Sequence, residues 1–105
     1  MNVIVAGADT DGIAAAIESQ GHEVTVVDIA NQPALEDAGI ETAATLVLTE
    51  VAQATAIPVA KELNPDLRTI VYAKQSLPEF VRGQADLAID PELLDAETVA
   101  EELDA

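Results

Sequence analysis

The sequence contains no cysteine, and its only aromatic residues of the Phe, Tyr and Trp type are Tyr72 and Phe80. Because there is no thiol, disulfide bonds and thiolate metal sites are excluded. The core must be aliphatic, and the material for it is present, since 50% of the residues are hydrophobic. The length of 105 residues predicts a single domain over 1–105 with one core.

Basic residues are also scarce. Four Lys and Arg stand against 20 Asp and Glu, which gives a formal net charge of −16. Nucleic acids and anionic membranes are recognised through clustered Lys and Arg, so both are disfavoured as partners. This acid-rich, lysine-poor composition is similar to that of halophilic proteins that work in molar salt. The alternative interpretation is an acidic protein of a mesophilic organism that does not live in high salt.

Long apolar runs are missing as well. No stretch approaches the roughly 20 apolar residues that a membrane helix needs. Met1 leads directly into Val3-Ile4-Val5 without a preceding basic region, so no signal peptide is predicted. We therefore expect a soluble, cytoplasmic protein with no direct membrane insertion.

Short apolar runs alternate with helical patterns along the chain. The β-branched runs predict strands over 3–6, 23–28, 45–49, 69–73 and 87–89. The remaining patterns predict helices over 9–20, 33–38, about 55–64, 77–82 and 91–103. Pro58 favours a helix start near Thr55 or Ala56, which places the proline in the first turn; a start further upstream would kink the helix.

Alternating strands and helices predict an α/β fold. We expect a Rossmann-like, doubly wound parallel sheet of five strands with helices on both faces. The expected strand order is 3-2-1-4-5.

Several stretches of the chain match one known family. They are Asn2 to Gly7, Gly21 to Asp28, Ala60 to Arg68, and Gly83 to Asp86 followed by Pro91. On these residues the chain resembles the N-terminal NAD-binding domain of Trk-type and regulator-of-conductance proteins, in a short stand-alone form. The resemblance implies a regulatory module without catalysis, which binds NAD or another adenine nucleotide. It further implies a homodimer and a transporter or channel subunit as partner.

The glycine-rich turn of that family has the pattern Gly-x-Gly-x-x-Gly, in which the second glycine lets a diphosphate approach the backbone. Here the turn reads Gly7-Ala8-Asp9-Thr10-Asp11-Gly12, so Asp9 replaces the second glycine. One interpretation is that Asp9 or Asp11 caps the following helix and that no phosphate binds. The other is that the loop still holds a nucleotide in altered geometry or through a cation.

Further candidate binding residues follow the second and third strands. The resemblance places Asp28 on the ribose hydroxyls of a nucleotide, whereas an acid at a strand end is the structural alternative. Thr49 and Gln53 could hydrogen-bond a ligand at the crevice flanked by the first and third strands. Glu50 could join the loop acids around Mg²⁺ or Ca²⁺, or simply be solvated.

Two other functions compete with the nucleotide-binding one. The first is a degenerate Rossmann domain that binds no nucleotide and works through protein contact. The second is an enzyme of the CTP synthetase type. It is disfavoured because the chemistry of that family needs a phosphate loop and a glutaminase cysteine, and this chain has no cysteine. No catalytic residue and no metal ligand is predicted, and the single histidine, His22, is expected at a helix-to-strand turn.

The charge of −16 predicts a salt-dependent stability. Repulsion between the carboxylates opposes the compact state, and it is largely screened when the Debye length falls to about 3 Å at about 1 M salt. We expect the midpoint of thermal unfolding to rise between dilute and molar KCl. Sucrose, which stabilises proteins without screening charge, is the control. An unfolding midpoint that does not change with KCl concentration would show that charge repulsion does not limit the stability of this protein.

Overall fold

A computed structural model describes residues 2–8, 12–73 and 85–103. The elements in these ranges are β1 (Asn2–Ala6), α1 (Ile13–Ser19), β2 (Glu23–Val27), α2 (Gln32–Asp37), β3 (Thr45–Leu48), α3 (Ala56–Leu63), β4 (Arg68–Tyr72), β5 (Leu87–Ile89) and α4 (Ala96–Glu102). Short 3-10 turns occupy Ile40–Thr42 and Val51–Gln53. The helix predicted over 77–82 lies outside the described residues.

The five strands form one parallel sheet in the order β2-β1-β3-β4-β5. The predicted α/β class with a doubly wound parallel sheet is therefore confirmed. The predicted order 3-2-1-4-5 is wrong, because β3 pairs with β1 and leaves β2 at the edge. Side-chain polarity explains the difference: Glu23 and Thr25 of β2 are exposed, whereas every residue of β3 is buried. This is the flavodoxin-like order of doubly wound sheets.

Aliphatic side chains cover both faces of the sheet. On one face α2 and α3 contribute Leu35 and Ile57, which pack in a cluster with Leu46. On the other face α1 and α4 contribute Ile17 and Val99 to a second cluster. Successive residues of a strand point to opposite faces, so the buried strands β1, β3 and β4 supply both clusters.

The helix boundaries follow local signals. The helix α3 begins at Ala56, so Pro58 lies in its first turn, as predicted, where a missing N–H is tolerated. The last helix begins at Ala96 and not at Pro91, because the Asp95 side chain accepts the Thr98 N–H and caps it there. None of the helices in the described ranges is long and apolar enough to cross a membrane.

A buried amide fastens the α3–β4 connection to the segment before β3. The Asn64 side chain donates hydrogen bonds to the carbonyl oxygens of Ile40 (3.0 Å) and Ala43 (2.9 Å). Its own oxygen accepts the Asp66 N–H at 3.2 Å. The Ile40 oxygen also accepts the Ala43 N–H of the 3-10 turn at 3.3 Å, so Asn64 adds a second donor there and supplies a donor to the Ala43 oxygen.

A carboxylate joins the amino-terminal ends of β4 and β5. One oxygen of Asp86 accepts the backbone N–H of Thr69 at 2.7 Å and the Lys61 ammonium at 3.0 Å. The Thr69 N–H, followed by the Lys61 hydrogen bond and charge, lowers the pKa of Asp86 below its usual 3.8, against the opposing effect of partial burial. Asp86 therefore favours the folded state most when it is ionised.

Removing this carboxylate should have a pH-dependent effect. Since the folded-state pKa of Asp86 is lowered, its stabilisation is present above the unfolded-state pKa and is lost as pH falls through the folded-state value. We expect Asp86→Asn to lower the free energy of unfolding by about 1 kcal/mol or less near pH 7, because exposed pairs are screened. The deficit should shrink below about pH 4.

Urea unfolding of the two proteins at several pH values measures this deficit. Glu101→Gln, at an exposed position of α4, removes the same charge without these contacts and is the control. A deficit that stays constant or grows on acidification would show that the Asp86 carboxylate has no special role.

Candidate functional site

The candidate site is the crevice at the carboxyl ends of β1 and β3. The order β2-β1-β3 means that the chain leaves these two neighbouring strands toward opposite faces of the sheet. Ligands of open α/β sheets bind where the strand order reverses in this way. The residues at this point are Gly7 and Ala8 after β1, and Thr49 and Glu50 after β3.

Thr49 ties the two strand ends together. Its backbone N–H donates to the carbonyl oxygen of Ala6 at 2.9 Å. Its hydroxyl oxygen lies 3.2 Å from the Ala6 oxygen and 2.8 Å from the Ala8 oxygen and donates toward them. The hydroxyl predicted as a ligand contact is therefore engaged by the protein's own backbone.

Gly7 is required by the same contact. It is buried and has a φ of +107°, a conformation that side chains rarely adopt. A Cβ atom at this position would lie 2.5 Å from the Thr49 hydroxyl oxygen and 3.0 Å from Cγ of Glu50. Close packing against β3 thus explains this glycine without a phosphate ligand.

Glu50 and Gln53 extend the contacts across the crevice. One carboxylate oxygen of Glu50 accepts the Ala8 N–H at 2.7 Å, and the other accepts the Gln53 side-chain amide at 3.2 Å. The same amide donates to the Asp28 carbonyl oxygen at 2.8 Å, and the Gln53 side-chain oxygen accepts the Ala30 N–H at 2.8 Å. The loops after β1, β2 and β3 are thereby linked through two half-buried side chains.

The structure brings only some of the predicted site residues together. Gly7, Thr49 and Gln53 lie in this network, and Asp28 joins it through its backbone carbonyl group. Gly12 begins α1 and lines a separate hollow of about 510 Å³ beside α4. The other three predicted residues, Asp9, Thr10 and Asp11, lie outside the described residues.

Sequence reasoning missed the role of Glu50 as a bridge. It treated Glu50 as a cation ligand or a solvated acid, because a pattern of residues cannot show that the Ala8 N–H faces it. The available signal was an acid and an amide three residues apart, shortly after a strand that is buried along its whole length. Within the described residues, no group of three or more His, Cys, Asp or Glu residues is arranged to hold a metal ion.

A small hollow lies next to the network on the β2 side. It has a volume of about 200 Å³ and is lined by Ile29, Ala30, Asn31, Ala52, Gln53 and Thr55. Ile29 is 67% exposed at its mouth. The crevice therefore offers a small recess of mixed polarity, next to the Thr49, Glu50 and Gln53 side chains, whose hydrogen-bonding groups already have partners.

Comparison with known proteins gives a family without a known activity. The model of a family of unknown function (DUF7126) matches residues 3–103, which is nearly the whole chain. A search of curated proteins found no match.

Several solved structures share the fold at low sequence identity. A protein assigned to pilus assembly (cpaE) from Burkholderia thailandensis is 18% identical, with a TM-score of 0.70 over 99% of this chain and 95% of that chain. A CheY-like response regulator receiver domain protein from Methanospirillum hungatei is 18% identical, with a TM-score of 0.74 over 98% and 90%. A response regulator from Burkholderia pseudomallei, solved with a phosphorylated aspartic acid, a calcium ion and citrate, is 20% identical, with a TM-score of 0.65 over 98% and 70%.

These findings correct the predicted family. The predicted membership of the Trk-type NAD-binding family is wrong, because the similar structures include receiver domains and because β3 lies beside β1. The predicted nucleotide-binding function and the predicted link to potassium transport are wrong for the same reasons. One of the misleading features was the glycine that follows β1. Tight strand-to-helix turns need such a glycine in many doubly wound folds, and here Gly7 contacts Thr49 and Glu50.

The packing of Gly7 against Thr49 predicts unequal effects at two glycines. Gly7→Ala adds a steric clash to an unfavourable φ, and we expect it to lower the free energy of unfolding by about 2–4 kcal/mol. Gly12→Ala is the matched control, because Gly12 has a φ of +72° but no heavy atom within 4 Å of the added Cβ. We expect it to lower the free energy of unfolding by about 1 kcal/mol. Urea unfolding measures both, and equal losses would show that the contact with Thr49 is unimportant.

Proposed function

This chain belongs to the DUF7126 family of unknown function, and we propose that it is a receiver-type signalling domain that works by contact with another protein and is not an enzyme. The similarity of its fold to a CheY-like receiver domain protein carries the proposal. The Glu50 carboxylate, which bridges the Ala8 N–H and the Gln53 amide in the crevice between β1 and β3, further favours a domain that needs no phosphorylation. The crevice is thus bridged by a carboxylate of the protein itself.

The contacts of Glu50 favour a domain that needs no phosphorylation. Phosphorylation switches a protein by adding negative charge and acceptor oxygens, which recruit nearby donors. In the crevice between β1 and β3, Glu50 already supplies a negative charge and two acceptor oxygens. Both oxygens have hydrogen-bond partners. The loops that a new phosphoryl group would have to order are therefore already connected.

The engagement of the polar groups also favours binding over catalysis. A catalytic group must reach the reacting atoms in its free or readily freed form. Thr49, Glu50 and Gln53 instead hydrogen-bond to one another's loops and to the backbone. Similar structures described as response regulators support a signalling role, in which the partner is a protein.

A phosphoryl donor tests the proposal. The chain is incubated with acetyl phosphate and Mg²⁺, and its intact mass and amide NMR spectrum are recorded. Because the crevice is bridged by Glu50, we expect no gain of a phosphoryl group and no shift of the Ala8, Thr49 or Gln53 signals. The Methanospirillum hungatei receiver domain protein, treated in parallel, serves as the comparison.

A phosphoryl adduct mapped to an aspartate of this chain would overturn the proposal of a domain independent of phosphorylation. Glu50→Gln and Glu50→Ala provide the internal check. Gln keeps an acceptor for the Ala8 N–H, so we expect the amide exchange of Ala8 to rise less in Glu50→Gln than in Glu50→Ala. Equal exchange in both variants and the native chain would show that the bridge does not hold the loop.

A further inference from the structure

Glu50 and Gln53 stand at the two ends of one short turn. The 3-10 turn Val51–Gln53 follows Glu50 directly, and the Gln53 N–H donates to the Glu50 carbonyl oxygen at 3.0 Å. The Ala54 N–H donates to the Val51 carbonyl oxygen, also at 3.0 Å. Because these backbone hydrogen bonds fix the turn, they also fix the spacing of the two side chains. We call Glu50, this turn and Gln53 the clamp.

The side-chain amide of Gln53 is fixed in one orientation by three partners. Its nitrogen donates to the Asp28 carbonyl oxygen at 2.8 Å and to a Glu50 carboxylate oxygen at 3.2 Å, which uses both of its N–H groups. Its oxygen accepts the Ala30 N–H at 2.8 Å. Turning the amide over would place oxygen against oxygen and N–H against N–H. The three partners therefore select the same orientation together.

The clamp connects two loops through different side chains. The Ala8 N–H, after β1, donates to Glu50 at 2.7 Å, whereas the Ala30 N–H, after β2, donates to Gln53 and not to Glu50. If Glu50 moves away from Gln53, the amide loses one of the partners that orient it, and its hold on Ala30 weakens. The neighbouring Ile29 is 67% exposed and lines the hollow of about 200 Å³ beside the clamp.

We propose that the clamp couples the crevice to the loop after β2: when Glu50 leaves the Ala8 N–H, Gln53 loosens residues 28–30, and the exposed Ile29 and its hollow change conformation. The loop after β2 is then the surface at which a partner detects the state of the crevice. This coupling rests on the proposed function and deepens it, because it gives the signalling domain a route from the crevice to its surface. A coupling free energy between two sites is reciprocal, so the same clamp acts in both directions.

Amide hydrogen exchange measured by NMR tests the coupling. In Glu50→Ala we expect the Ala30 amide to exchange about three- to tenfold faster, although its own hydrogen-bond acceptor is unchanged, and the Ile29 methyl signals to shift. In Gln53→Ala we expect the Ala8 amide to exchange faster as well. Rates are taken relative to the Asp86 amide, which donates to the Thr69 oxygen near the other edge of the sheet, so that a general loss of stability cancels.

The double variant Glu50→Ala/Gln53→Ala distinguishes coupling from two independent effects. If Glu50 acts on Ala30 only through Gln53, the Ala30 exchange rate in the double variant stays within about twofold of that in Gln53→Ala alone. Independent effects would multiply instead. Glu101→Ala is the matched control, because it removes the same charge at an exposed position of α4 and should leave both amides unchanged.

Circular dichroism verifies that each variant is folded. Where Glu50→Ala is not, Glu50→Gln takes its place, since a Gln amide has one acceptor atom for the two donors that the Glu50 carboxylate serves. We expect it to raise Ala30 exchange in the same direction.

Three results would overturn the coupling: an Ala30 exchange rate that does not change when Glu50 is replaced, effects that multiply in the double variant, or an equal change in Glu101→Ala. A phosphoryl adduct in the preceding experiment would contradict the proposed function alone, because it leaves these exchange rates to be compared in the same way. The two proposals can therefore fail separately.

Discussion

The whole fold depends on burying aliphatic strands on both faces, with Tyr72 as the only aromatic side chain in the core of the described residues. In β3 every residue is buried, and β1 is buried from Val3 to Ala6. Such strands are stable only at the centre of a sheet, with helices on either side. The polar strand β2 is displaced to the edge, and β1 and β3 become neighbours. The position of the crevice follows from this one packing requirement.

The adjacency of β1 and β3 also determines the chemistry of the crevice. At their carboxyl ends the strands come so close that Gly7 has no room for a side chain beside Thr49. The same closeness places Glu50 against the Ala8 N–H, where a carboxylate accepts a charge-assisted hydrogen bond. A site that in other doubly wound proteins receives a ligand is here connected internally, by side chains from β3 and the turn that follows it.

The surface of the molecule combines two opposing properties. Its acids keep the chain hydrated and repel other copies, nucleic acids and anionic lipids. The turn after β5 departs from that pattern, because Leu93 and Leu94 are exposed there on a turn that hydrogen bonds from Asp90 and Tyr72 hold in place.

Local patterns were sufficient for the strands but not for every helix start, since the helix predicted from residue 9 begins at Ile13. The apolar runs predicted the strands from β1 to β5 to within one or two residues, and Pro58 predicted the start of α3. The late start of α4 could have been read from Asp95, a good N-cap residue three positions before Thr98. The site was harder to predict, because Asp28 contributes a backbone carbonyl group and Glu50 contacts a residue 42 positions away.

The sequence by itself determined which segments are buried strands, which are amphipathic helices, and how acidic the surface is, because these depend on side-chain polarity and local backbone preference. Only the tertiary structure decided that β3 lies beside β1, that Thr49 packs against Gly7, and that Glu50 bridges the crevice. Those contacts join residues more than 40 positions apart. A polarity pattern says that a residue is buried, but not which strand it meets.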